Sequence, residues 1–394
     1  MTHWTNAQSR RAINLLRDGV PPEPAIAEWL RVGQSTLLQG LDAALSEALA
    51  GASVVRFIAG DPGFGKSHFL ATLRFRAARR RSLISYSSQN LAAGITLNWP
   101  GAVYERIVSS LELPDQSRST DAISTVLEAW SNEALKVTTY SKSSTYSLIR
   151  TLADRSLLPD INTIHFRTRV TLAAYLAAKR QNNARVVAVM LSVLRGLAIQ
   201  SGDIAREAEQ LGIEKPWTGY TPNKYDAEYW FGQLGVLCHI ARAVNYGALT
   251  VMLDELESLV ALRTAPSRAK AYRVLDSLFS RSYHTPGLLL IFAYTPAFLR
   301  GVARDYDAYG DAVQHSWREL VAQNSLQVSP LSVGDAADLL QRLAELYGNA
   351  EGWDADGALA SFGKPVIAQW SADGGSARDL VKTAIHRFDL SAPE

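Results

Sequence analysis

Gly60-Asp61-Pro62-Gly63-Phe64-Gly65-Lys66-Ser67, followed by His68, carries the spacing G-x-x-x-x-G-K-[ST]. That spacing belongs to a loop that wraps phosphate oxygens. Gly60, Gly63 and Gly65 allow main-chain N–H groups to approach an anion with no Cβ in the way. Lys66 can reach the β- and γ-phosphates and Ser67 can offer its hydroxyl to Mg²⁺. A helix opening near His68 adds the positive end of its dipole. Gly60 through His68 are therefore the candidate contacts to a nucleoside triphosphate. Far downstream, the apolar run Leu249-Thr250-Val251-Met252-Leu253 ends in Asp254-Glu255. A carboxylate at the tip of a buried strand can hold Mg²⁺, and its neighbour can take a proton from an attacking water. Asp254 is read as a metal ligand beside Ser67, and Glu255 as the general base. Glu257, a third acid, receives no role.

Two further polar groups fall where a γ-phosphate needs partners. The apolar run 288–294 ends at Thr295-Pro296, which puts a hydroxyl at a strand tip; Tyr294 is the alternative donor. Gly374-Gly375-Ser376-Ala377-Arg378 opens a late helix that also carries Lys382. An arginine there, freed by the glycines, can reach back to the phosphates with a guanidinium fork.

These groups need a scaffold. Apolar residues make up 47% of the 394-residue chain and charged residues 20%, the composition of an ordinary globular protein. Cys238 is the single cysteine, which excludes an intrachain disulfide and a cysteine-built zinc site. The polar start 1–11 lacks a secretion signal, and no run approaches the roughly 20 apolar residues of a membrane span. A cytoplasmic protein without a membrane partner is expected. Strands are expected at 53–59, 83–87, 249–253, 288–294 and 325–328, and helices over 4–50, 100–245 and the last sixty or so residues. Strands alternating with helices predict a parallel, doubly wound α/β sheet with a helical appendage. The domain expectation is an N-terminal helical segment 1–35, a core 36–330 with a helical insertion at about 105–245, and a helical lid 331–394.

The order of these motifs resembles the AAA+ superfamily of P-loop ATPases, in particular its origin-initiator branch. More closely, the chain is similar to the ATP-binding proteins of bacterial BREX phage-defence systems. The segments that carry this are Ser9-Arg10-Arg11-Ala12-Ile13 through Gly19-Val20-Pro21-Pro22, Arg31-Val32-Gly33, and Gly65 through Leu70. Asn245-Tyr246-Gly247 running into Leu253-Asp254-Glu255-Leu256-Glu257 adds a fourth. Gln34 departs from the arginine more usual after Val32-Gly33, and with Glu394 soon after the lid segment the winged-helix domain of origin initiators is not expected. The resemblance implies ATP and Mg²⁺ as ligands, ATP hydrolysis, and a homo-oligomer in which an arginine finger completes a neighbour's site. Arg300, Arg304 and Arg318 lie in the finger's window, and Arg318 is the choice because it is nearest the last strand.

The formal net charge of +2 decides nothing about nucleic acid, but two stretches lack acids. One holds Arg74, Arg76, Arg79, Arg80 and Arg81; the other holds Arg167, Arg169, Lys179, Arg180, Arg185 and Arg195. Double-stranded DNA is one candidate partner, and a helicase or another defence protein is the other. The leading reading is an ATPase that couples nucleotide state to such a partner. A nucleotide-gated assembly scaffold with negligible turnover is the second, and a nucleotide kinase is disfavoured because no acceptor motif is present.

Overall fold

A computed structural model of the chain describes residues 4–88, 97–115, 121–138, 145–197, 199–213, 221–282, 284–309 and 316–392, with backbone alone for 307–309 and 316–318. Helices α1 (Asn6–Arg17), α2 (Pro24–Leu30) and α3 (Ser35–Leu49) precede strand β1 (Val54–Ala59), which feeds α4 (Lys66–Arg79) and β2 (Leu83–Ser88). Then come α5 (Pro100–Ser109), the two-residue β3 (Leu111–Glu112), α6 (Ala122–Val137), α7 (Thr145–Asp154) and α8 (Phe166–Arg180). Helices α9 (Ala184–Leu194), α10 (Ser201–Gln210) and α11 (Ala227–Ala243) lead to β4 (Leu249–Asp254), α12 (Ala265–Ser282) and β5 (Leu288–Tyr294). The chain finishes with α13 (Pro296–Tyr309), α14 (Ser316–Asn324), β6 (Ser325–Gln327), α15 (Val333–Glu351), α16 (Asp356–Ala372) and α17 (Ala377–Ser391).

Among the described residues the strands form one sheet in the order β3-β2-β4-β5-β1-β6. Every pairing is parallel except β2 with β3 at the edge. The sheet is thus mostly, not wholly, parallel, and β3 is too short to show a period in the sequence. Alternation along the strands feeds two cores. Val55, Phe57, Leu249, Val251, Leu290 and Phe292 face one side, where the insertion helices pack; Val54, Ile58, Met252, Leu289 and Ile291 face α3 and α4. Full burial of β4 and β5 on both faces explains their unbroken apolar runs. The expected P-loop α/β sheet with helical insertion and C-terminal helical lid is the architecture the chain adopts.

A third core lies off the sheet, and its composition is informative. Ala12, Ile13 and Leu16 of α1 and Ile26 and Leu30 of α2 share it with α15, α16 and α17, including Leu343, Trp370 and Phe388. The N-terminal segment and the lid therefore form one packed unit, although the sequence divides them. Gln34 is part of that joint. Its amide donates to the Ser329 carbonyl at 2.5 Å and accepts from the Ser329 N–H at 3.3 Å. Arginine, a donor only, could not make both bonds, which rationalises the departure at this position. Gly33, at φ 57°, leaves no space for a Cβ beside the Asp335 carboxylate.

Candidate functional site

The phosphate loop is made where β1, between β5 and β6, ends and α4 begins. Gly63 (φ 83°) and Gly65 (φ 103°) take left-handed conformations that other residues adopt at a cost. Gly65 caps α4 with no side chain bonded to the first-turn amides, so these N–H groups are free to meet an anion. A Cβ on Gly60 would come within 3.0 Å of Val328. The Lys66 ammonium donates to the carbonyls of Gly60 at 2.7 Å and Asp61 at 3.0 Å. Burial pushes its pKa below the ordinary lysine value, while Glu257 and Asp254 pull it back up. Asp61 and Pro62 are exposed at the loop tip, and Phe64 packs partly against the α3–α4 core.

Sheet topology brings the acids to this loop. Asp254 ends β4, and its carboxylate accepts from the Ser67 hydroxyl at 2.6 Å and from the Tyr86 hydroxyl at 3.3 Å. Burial raises the Asp254 pKa; the Ser67 bond and the Glu255 N–H oppose the rise. A hydroxyl and a buried carboxylate in contact are a donor set that fits Mg²⁺, which takes few protein oxygens and fills its shell from phosphates and water. Glu255 is left-handed at φ 61°, exposed, and its carboxylate accepts from the Ser88 hydroxyl at 2.6 Å. Thr295 is 6% exposed at the tip of β5, and its N–H donates to Glu257 at 3.2 Å.

The lid reaches the loop through its main chain. The Arg378 N–H donates to the Gly63 carbonyl at 3.0 Å, and the Ser376 hydroxyl lies 3.5 Å from the same oxygen. Ser376 is held in turn by Trp370, whose indole N–H donates to its carbonyl at 2.9 Å. The Arg378 side chain is exposed and lines an open cleft. Val20, Pro21 and Val32 from the N-terminal segment, Phe64 from the loop, and Leu343 and Val381 from the lid form its apolar walls. His68 lines the cleft too, but its imidazole bonds the Ala27 carbonyl, and burial lowers its pKa to about 4. At neutral pH it is an uncharged tie between α4 and α2.

Other expectations fare differently. Arg300 is exposed on α13, and Arg304 lies 3.8 Å from Asp305. Arg318 is on α14, with its side chain outside the described residues. Acids distant in sequence fold against much of the acid-free stretches, while Arg79, Arg80 and Arg81 remain exposed. Arg74 pairs with Glu112 at 2.5 Å, Arg76 with Glu28 and Asp42, Lys179 with Glu128, Arg185 with Glu207 at 2.6 Å, and Arg195 with Asp121. Arg167 is 1% exposed and bonds Ser201 and Ile199, and Arg180 donates to the Thr138 carbonyl at 2.7 Å. The reading of 167–195 as a phosphate-binding patch is corrected accordingly. No helix among the described residues is long and apolar enough to cross a membrane.

Sequence reasoning missed Ser88, Tyr86, Ser376 and the bond made by Glu257. Serines and tyrosines carry no spacing signal, and each acts here through a partner far along the chain.

Among solved structures, the Aeropyrum pernix ORC2 protein, in ADPNP and ADP complexes, matches at 15% identity with a TM-score of 0.36. The match covers 96% of this chain and 74% of that one. No curated protein matches. A family model described as BREX system ATP-binding protein BrxC/D matches residues 5–388, nearly the whole of the chain whose loop, acids and lid converge here. The chain belongs to the BREX system ATP-binding protein BrxC/D family.

Proposed function

We propose that this protein binds MgATP in the cleft between the phosphate loop, the N-terminal helices and the lid, and hydrolyses it. The observation that carries this reading is the 2.6 Å bond between Ser67 and Asp254, which joins the two motifs expected to share one Mg²⁺. The loop amides and Lys66 hold the phosphates, and the apolar walls of the cleft suit a nucleobase. Bound Mg²⁺ supplies charge neutralisation on the transferring phosphoryl group. Glu255 accepts the proton of a water attacking the γ-phosphorus as the bond to ADP breaks. Thr295 and Arg378 bond the terminal phosphate. Hydrolysis in turn drives a homo-oligomer, with Arg318 as the first choice for a finger offered to the neighbouring copy. Double-stranded DNA, or a helicase or other defence protein, receives the nucleotide-dependent change.

A specific contact favours the second reading, a nucleotide-gated scaffold. Ser88 already donates to one oxygen of the exposed Glu255 carboxylate and turns the base toward the end of β2. Calorimetry and phosphate release on wild type, Lys66→Ala and Glu255→Gln test both. Hydrolysis predicts no MgATP heat for Lys66→Ala, and retained binding with at least a hundredfold lower turnover for Glu255→Gln. Wild-type turnover indistinguishable from that of Glu255→Gln, with or without duplex DNA, would select the scaffold.

A further inference from the structure

Glu257 is the acid for which the sequence suggests no task. Left-handed Glu255 turns the chain into a single 3₁₀ turn, Leu256–Leu259, and the two glutamates diverge. Glu255 goes to Ser88 at the end of β2, whereas Glu257 goes to Thr295 at the end of β5. Since β4 lies between β2 and β5, the carboxylates sit on opposite flanks of the Asp254 tip. The next residue, Pro296, has no N–H and opens α13, so Thr295 supplies the main-chain donor at this helix start. Glu257 also acts on the loop lysine: burial lowers the Lys66 pKa, and Glu257 opposes this more than Asp254 or Asp61 does.

One carboxylate thus holds the strand tip with one oxygen and lends its charge to the phosphate-loop lysine. We propose that Glu257 is a positioning residue of the nucleotide site, fixing the Thr295 tip and setting the preference for triphosphate over diphosphate through its own negative charge. The proposal rests on the nucleotide-site reading above. Its logic is electrostatic. A fixed anion in this partly dry site repels a polyphosphate, and ATP carries one more negative charge than ADP. Removing the charge favours ATP more than ADP, while removing the hydrogen-bond acceptor loosens Thr295.

Two substitutions separate these effects. Glu257→Gln keeps an oxygen for the Thr295 N–H but loses the charge; Glu257→Ala loses both. Calorimetric titration of MgATP and MgADP into the full chain is expected to show the ATP-to-ADP affinity ratio rising about threefold to tenfold in Glu257→Gln. Phosphate release by Glu257→Ala is expected to lose about tenfold in kcat with a smaller change in KM, a larger loss in kcat than Glu257→Gln suffers, because only the alanine variant frees the Thr295 N–H. Thermal melts are run beside these. A merely structural role would lower both melting temperatures and leave the affinity ratio at its wild-type value, and that result overturns the proposal. An unchanged ratio with unchanged melts overturns it equally. Wild-type protein that binds neither nucleotide would instead defeat the underlying reading of the site, so the two failures are distinguishable.

Discussion

Gly63 is the residue where two constraints meet. Its φ of 83° disfavours any side chain, and a Cβ built there would collide with the Ser376 hydroxyl of the lid. Gly63→Ala is therefore expected to strain the loop by about 1–2 kcal/mol and to push Ser376 and Arg378 off its carbonyl. MgATP affinity, read by calorimetry, should fall at least tenfold while the far-ultraviolet spectrum stays native. Wild-type affinity would show that the lid contact does not shape the site. Lys66, Ser67, Asp254 and Glu255 stand out at this scale because the motifs that hold them are short and local. Ser88 and Tyr86 were not, because their hydrogen bonds run to residues about 170 positions away (167 and 168).

At the scale of elements, α12 follows the acidic turn and carries an isolated titratable group. Burial raises the carboxyl pKa of Asp276 from 3.8 to about 6. Between these values the folded chain keeps a proton that the unfolded chain has lost. Its contribution is therefore favourable below about pH 4 and is lost as pH rises through 6. Asp276→Asn should raise the stability at pH 8 by on the order of 1 kcal/mol, after allowance for screening at a half-buried group, with no gain at pH 4. Melting curves at the two pH values check this; equal gains at both would refute the titration. Element types were readable wherever a period was long, as in β4, β5 and α15. The antiparallel β3 was unreadable because two residues carry no period, and its place is set by pairing with β2.

For the whole molecule, the decisive arrangement is the core shared by the first thirty or so residues and the lid. Ile13 is 1% exposed within it, alongside Leu343 and Phe388. Ile13→Ala should cost about 2–4 kcal/mol. Because the same core carries the helix that touches Gly63, MgATP binding should weaken in step. A destabilised variant with unimpaired nucleotide affinity would show that the lid acts independently of the N-terminal helices. The charge pattern teaches the same lesson: the cations of 167–195 looked unopposed along the chain, yet Glu128, Glu207 and Asp121 fold against three of them.

What the sequence determined by itself was the phosphate loop, the acidic strand end and the α/β class with its late helical segment. These follow from residue type and short-range period, which the chain carries locally. Only the tertiary structure decided that Ser67 meets Asp254, that Glu255 and Glu257 part toward different strands, and that the two ends of the chain build one core against the loop. Contacts between residues distant along the chain depend on strand order and on which faces bury each other, and neither is written in any local window.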